Sequence, residues 1–181
     1  MSKFYPRLFF VNFSAMFAGA AIFYLFKMPH SEALLAALYP AGLFAILMTF
    51  VVGPIHVALS KKIAGAGYGP EIYRTHQSVE LSIGLDYTKL FSIAHRYLKE
   101  KAGFEILEAD TRTWRISAKS PVSLKTFGNI ITLEFTEAGT IFTNLKISSR
   151  PRIGTTMIDY GENLKIVLDA KQYLIQNAGQ Q

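Results

Sequence analysis

The 181 residues contain no cysteine. This excludes disulfide staples, thiolate metal sites and a cysteine nucleophile, and it fits a reducing compartment. Charge is scarce too: Asp, Glu, Lys and Arg make up 18% of the chain, and no acid precedes Glu32. The short motifs that carry chemistry are also missing. There is no His-Glu zinc pair, no nucleophile elbow and no Walker loop, and the four histidines lie far apart in sequence. No catalytic residue, cofactor or metal is therefore expected, and the chain reads as a non-enzyme. Its net charge is +6, yet no basic run exceeds Lys61-Lys62 and basic residues are spread among acids, so nucleic acid is not an expected partner.

The most distinctive feature is a pair of long uncharged runs, residues 8–26 and 33–60, joined by the short turn 27–32. A spanning helix needs about 20 apolar residues to cross a hydrocarbon core of roughly 30 Å. Both runs qualify, which predicts a transmembrane helical hairpin over residues 1–60. The first run continues past any small-residue cleavage site, so it reads as a retained helix rather than a signal peptide. Lys3 and Arg7 precede the hairpin, Lys61 and Lys62 follow it, and the turn has only Lys27, offset by Glu32. The excess of Lys and Arg at the outer ends predicts that both termini are cytoplasmic. A bacterial inner membrane is the expected location, with the mitochondrial inner membrane as the alternative.

Small residues let helix backbones approach closely in lipid. Asn12, Ala15 and Gly19 share one face of the first helix, and Ala37, Ala41, Ala45 and Thr49 share one of the second. Folding about the turn sets Gly19 level with Ala41, Ala15 with Ala45, and Asn12 with Thr49, which predicts a hydrogen bond between the last two. His56, the only Asp, Glu, Lys, Arg or His in either run, is expected as an interfacial anchor near the cytoplasmic headgroups.

Residues 61–76 read as a linker rich in glycine, and 77–178 as a cytosolic domain. Val79, Leu81, Ile83 and Leu85 alternate with polar residues in a half-buried strand. Asp86 then caps a helix carrying Leu90, Phe91, Ala94, Tyr97 and Leu98 on one face, and Gly103 ends it. Strands are expected over 104–109 and 113–119, followed by a hairpin of 130–136 and 141–149 around Glu137-Ala138-Gly139. The inner faces of that hairpin are read as Ile131, Leu133 and Phe135 against Ile141, Thr143, Leu145 and Ile147. A last helix from about 160 to 176 is expected, capped by Asp159, with Leu164, Val167, Leu168, Lys171, Leu174 and Ile175 facing inward. The order β-α-β-β-β-β-α predicts an α+β fold in two layers, an antiparallel sheet with two helices on one face.

Between the last strand and the last helix the chain reads Ser149-Arg150-Pro151-Arg152-Ile153-Gly154, then Asp159-Tyr160-Gly161-Glu162-Asn163, and Phe127-Gly128 precedes the hairpin. This resembles a widespread bacterial family, domain of unknown function fourteen-ninety-nine, whose last strand runs into Ser-Arg-x-Gly and then Asp-x-Gly-x-Asn at a helix start. The chain departs from that pattern at Ile166, where the family has Arg, and at Asn129 and Ile130, which stand for paired acids. The resemblance implies a fold and no activity. Physically the turn needs no ligand, since Asp159 caps the helix and Arg150 or Arg152 can pair with Asp159 or Glu162; the sharper alternative is that Arg150, Arg152, Asp159 and Asn163 form a contact for an anion or a partner.

Taken together, these features predict a non-catalytic membrane accessory or assembly subunit whose hairpin packs on partner helices and whose cytosolic domain offers a docking surface. The expected partners are membrane lipids and either a membrane protein or further copies of the chain. The alternative is a membrane-tethered binder of a lipid or other amphiphile, with Phe91, Tyr97, Trp114 and Phe135 lining a cavity.

Overall fold

The structure, a computed structural model, describes residues 4–66, 68–123, 126–139 and 141–179. The chain divides into two compact units, Met1–Ala58 and Leu59–Gln181. The first is built from α1 (Phe4–Leu25), α2 (His30–Leu47), a widened turn (Met48–Val52) and the start of α3 (Gly53–Ala64). Two helical runs, of 22 and 35 residues, are long and apolar enough to cross a membrane. At 1.5 Å per residue the second measures about 52 Å, well beyond a core of roughly 30 Å.

The widened turn has a local cause. Pro54 lacks an N–H, and in a regular helix its ring would crowd the carbonyl of Phe50. Just upstream, the Gly53 N–H donates to the Met48 carbonyl, five residues back, so the proline is absorbed by a π turn instead of a break. The same turn re-phases the helix. A strict spacing of four drifts about 40° per step around an ideal α-helix, and a wider turn reverses that drift. Ala33, Ala37, Ala41 and Ala45 are fully buried, and Thr49 and Gly53 continue the buried row. A Cβ on Gly53 would lie 3.1 Å from Tyr5 Cε1 and 3.2 Å from Leu8 Cδ2, so α1 approaches this row closely there.

The small-residue face predicted for α1 is not the one that packs. Ala15 and Gly19 are exposed, nothing lies within 4 Å of a Cβ placed on Gly19, and α1 buries Leu8 and Ala21 instead. One smooth alanine face suffices for close approach, and the opposing helix can then fill it with larger side chains. The predicted bond between Asn12 and Thr49 is absent. Asn12 Nδ2 donates to the Leu8 carbonyl of its own helix at 2.7 Å, and the Thr49 hydroxyl has no hydrogen-bond partner among the described residues. A carbonyl four residues back keeps a spare lone pair, so an amide in an apolar helix is satisfied locally. His56 is fully buried, with its ring stacked on Phe4 at 5.6 Å between centroids.

The second unit is the expected α+β domain. Much of its predicted linker is structured: Pro70–Tyr73 forms a 3₁₀ turn that buries Ile72, and the Gln77 side-chain amide donates to the Glu71 carbonyl at 3.0 Å. Strands β1 (Gln77–Ile83), β2 (Glu105–Asp110), β3 (Arg115–Lys119), β4 (Asn129–Glu137) and β5 (Thr143–Pro151) make one antiparallel sheet in the order β1-β5-β4-β3-β2. Helix α4 (Tyr87–Arg96) runs on through a wide turn (Tyr97–Lys101), and α5 (Glu162–Ala178) follows the sheet. The Asp86 carboxylate caps α4 by accepting from the Thr88 and Lys89 N–H groups. Its bond to the Thr88 hydroxyl, the largest of several contributions, holds its pKa below the usual carboxylate range.

Alternation places Ile116 and Ala118, Ile131, Leu133 and Phe135, and Leu145 and Ile147 on the inner face, where they meet Leu90 and Ala94 of α4, Leu98 of the wide turn, and Val167, Ala170 and Leu174 of α5. The outer face is solvated and carries cross-strand ion pairs, Lys119–Glu105 at 2.8 Å and Lys146–Glu80 at 3.8 Å. Three details of the reading change. Ile141 is 63% exposed in the connection ahead of β5, because pairing stops at Glu137 opposite Thr143. Helix α5 starts at Glu162, since Tyr160 and Gly161 both have positive φ and cannot join an α-helix. Ala170 takes a buried place in its stripe, while Ile175 faces outward.

Candidate functional site

The motif between β5 and α5 folds into a buried polar cluster. The Asp159 carboxylate accepts from the Gly161 N–H at 3.1 Å, the Asn163 N–H at 3.0 Å and Asn163 Nδ2 at 2.8 Å. The Ser149 hydroxyl, on the inner face of β5, donates to Asn163 Oδ1 at 2.6 Å. Asp159, Asn163 and Ser149 are each almost wholly buried. Asp159 thus serves the first N–H groups of α5 from two residues further back than an ordinary cap, because Gly161 occupies the cap position in a left-handed conformation and offers no side chain. Of the four residues singled out from sequence, Asp159 and Asn163 come together here. Arg150 and Arg152 are exposed.

A concavity of the domain lies elsewhere. An open groove of about 520 Å³ runs beside α5, lined by Tyr97, Lys101 and Phe104 from the end of α4 onward, Ser120 and Pro121 after β3, and Lys165, Asp169 and Tyr173 of α5. Tyr97 and Tyr173 stack at 4.6 Å between centroids. The lining mixes apolar floor with charged rim, and no run of sequence announces it. Three of the aromatics expected around a cavity pack on one another instead: Phe91 meets Trp114 at 5.6 Å and Phe135 at 5.4 Å. Among the described residues there is no group of three or more His, Asp or Glu suited to hold a metal ion.

Tyr97 has a displaced pKa. Burial, then the Asp169 carboxylate and Tyr173, push its hydroxyl up to about 12 from an ordinary 10.0. A raised folded value means that the stability tied to neutral Tyr97 is fully present below pH 10 and is lost as the pH rises through about 12. The unfolding midpoint of the full chain is therefore expected to fall over that window, and Tyr97→Phe to flatten the fall. An equally steep fall in the variant would assign the alkaline limit to other groups.

No family model and no curated protein matches the chain. Among solved structures, a Thermobifida fusca protein determined by NMR in solution is similar over 59% of this chain and 94% of its own, at 9% identity and a TM-score of 0.43. Norcoclaurine synthase from Thalictrum flavum is similar over 65% of this chain and 96% of its own, at 10% identity and a TM-score of 0.36. Its complex with dopamine and hydroxybenzaldehyde gives 64% and 94%, 12% and 0.35. Likeness at that level says nothing about chemistry.

Proposed function

We propose that the protein is a membrane-anchored accessory or assembly subunit without chemistry of its own. Its hairpin lies in a bacterial cytoplasmic membrane with both termini on the cytoplasmic side, and the α+β domain presents the groove beside α5 to a partner. The observation that carries this reading is the apolar surface left outside the hairpin's own seam, where Phe10, Phe23, Leu35, Leu43 and Phe50 are all more than half exposed. Water does not tolerate so large an apolar surface, whereas lipid or other helices do. Ala15 and Gly19, unused inside the hairpin, add a smooth outward face on which a second helix can sit closely.

The test is gentle detergent extraction of the tagged chain from its native membrane, followed by mass spectrometry of the proteins and lipids that accompany it. A stoichiometric membrane-protein companion, or a defined homo-oligomer, is the expected result. Monomer alone would sink the reading. A single enriched lipid without protein would favour the second reading, an amphiphile binder, for which the groove beside α5 is the available site.

A further inference from the structure

One end of the sheet gathers exposed apolar side chains. Gln77 pairs with Ser149 and Asn129 with Pro151, the Ser120 N–H donates to the Asn129 carbonyl, and the Arg152 N–H donates to the Gly128 carbonyl at 3.0 Å. The connections after β3 and β5 therefore meet at this end. They carry Val122, Phe127 and Ile153, which are 66%, 69% and 44% exposed. Buried at these positions they would cost nothing unusual, but three large apolar side chains in water at adjoining loop tips call for a cover.

The same end receives the chain as it leaves the long apolar helix. A Cβ on Gly161 would lie 3.1 Å from Ser60 Cα and 2.9 Å from Ile63 Cδ1, and the Thr75 hydroxyl donates to the Thr156 carbonyl at 3.4 Å. Ser60 is the last residue of the uncharged run, and exposed Lys61 and Lys62 follow it directly. Arg152, also exposed, stands beside Ile153. We propose that this end of the domain is a lipid-contacting rim. Phe127, Val122 and Ile153 dip into the headgroup layer of an anionic bilayer, and Lys61, Lys62 and Arg152 meet lipid phosphates. Apolar loop tips and basic residues at one end of a domain are what such a surface selects, combining burial with attraction to anionic lipid. The inference rests on the membrane reading of the hairpin and deepens it, by fixing which end of the domain faces the lipid.

Because the chain has no cysteine, single cysteines can be placed at will. Full-length Phe127→Cys, Ile153→Cys, Ile141→Cys and Phe10→Cys would each be spin-labelled and reconstituted into vesicles of phosphatidylcholine and phosphatidylglycerol. Accessibility to oxygen and to a water-soluble nickel chelate is then read by power-saturation EPR. The expected result is an oxygen-to-nickel ratio at 127 and 153 shifted towards that at position 10, with position 141, at the opposite end of the sheet, remaining aqueous. Ratios at 127 and 153 matching 141 would overturn the rim while position 10, if lipid-like, kept the hairpin in the membrane. Shielding of 127 and 153 from both reagents would overturn it in favour of a protein contact. An aqueous position 10 would remove the membrane reading itself.

Discussion

Asp159→Ala is expected to be the most damaging single truncation of a polar side chain in the α+β domain, lowering its stability by roughly 3–5 kcal/mol. Among the described residues the carboxylate accepts from the N–H groups of Gly161 and Asn163 and from the Asn163 amide, all where water is excluded. Alanine removes the acceptor and leaves the donors in place. Each buried donor left without an acceptor costs about 1–3 kcal/mol, so the loss exceeds that of an exposed helix cap, which is nearer 1 kcal/mol. The effect spreads to the sheet, because Asn163 also holds the Ser149 hydroxyl on β5. Asp159→Asn keeps the shape but points an amide at one of the donors, and an intermediate loss of about 2 kcal/mol is expected.

The reporter is built in. Trp114 is the single tryptophan, packed edge-on against Tyr87 at 4.3 Å, so its emission follows the domain and not the hairpin. Urea titration of the full chain in a mild detergent should show the midpoint for Asp159→Ala falling by roughly 2 M at an unchanged slope. Arg150→Ala and Arg152→Ala, at exposed positions, should stay within about 0.5 kcal/mol of the parent chain. A loss below about 1 kcal/mol for Asp159→Ala would mean that water reaches these donors and that the cluster is not structural.

What was readable from sequence divides by the range of the interaction behind it. The Asp86 cap, the alternation of β1 and the amphipathic face of α4 depend on neighbours a few residues away, and each stands where the pattern puts it. Pro54 follows the wide turn at Met48–Val52, but Pro40 lies inside the regular helix α2, so a proline in the sequence does not by itself say where the helix widens. The seam of the hairpin was different. Two faces of small residues suggested that each meets the other, but helix packing in lipid needs only one smooth partner, and nothing local to α1 told Ala15 and Gly19 from Leu8 and Ala21. The start of α5 was misplaced for a related reason. Asp159 has the chemistry of a cap, but the left-handed backbone at Tyr160 and Gly161 moves the helix on while leaving the carboxylate within reach of its first N–H groups. The groove beside α5 was invisible. Its lining comes from three separated stretches, in residue types that any solvated surface carries, and only the fold brings Tyr97 against Tyr173.

Gly161 carries the second large expected effect, and here two independent constraints fall on one residue. Its φ of 77° lies in the left-handed region, which costs a residue with a Cβ about 1–2 kcal/mol. A Cβ there would also meet Ile63 Cδ1 at 2.9 Å, Ser60 Cα at 3.1 Å and Ser60 Oγ at 3.2 Å. The isoleucine tip can rotate away, but the Ser60 backbone cannot move without shifting the end of α3. Overpacking of that kind adds about 1–3 kcal/mol, so Gly161→Ala is expected to cost roughly 2–5 kcal/mol and Gly161→Val more. Two further variants separate the causes. Gly161→Asn tolerates the left-handed backbone but keeps the clash, so a loss as large as that of alanine assigns the effect to the close approach. Ile63→Ala combined with Gly161→Ala removes the nearest contact and should recover only part of the loss, because the Ser60 backbone still blocks the new methyl. Full recovery would place the whole conflict in one side chain and leave the left-handed turn nearly free of strain. These losses should not add to that of Asp159→Ala, since the Gly161 N–H is itself bound to that carboxylate and either substitution disrupts the same turn.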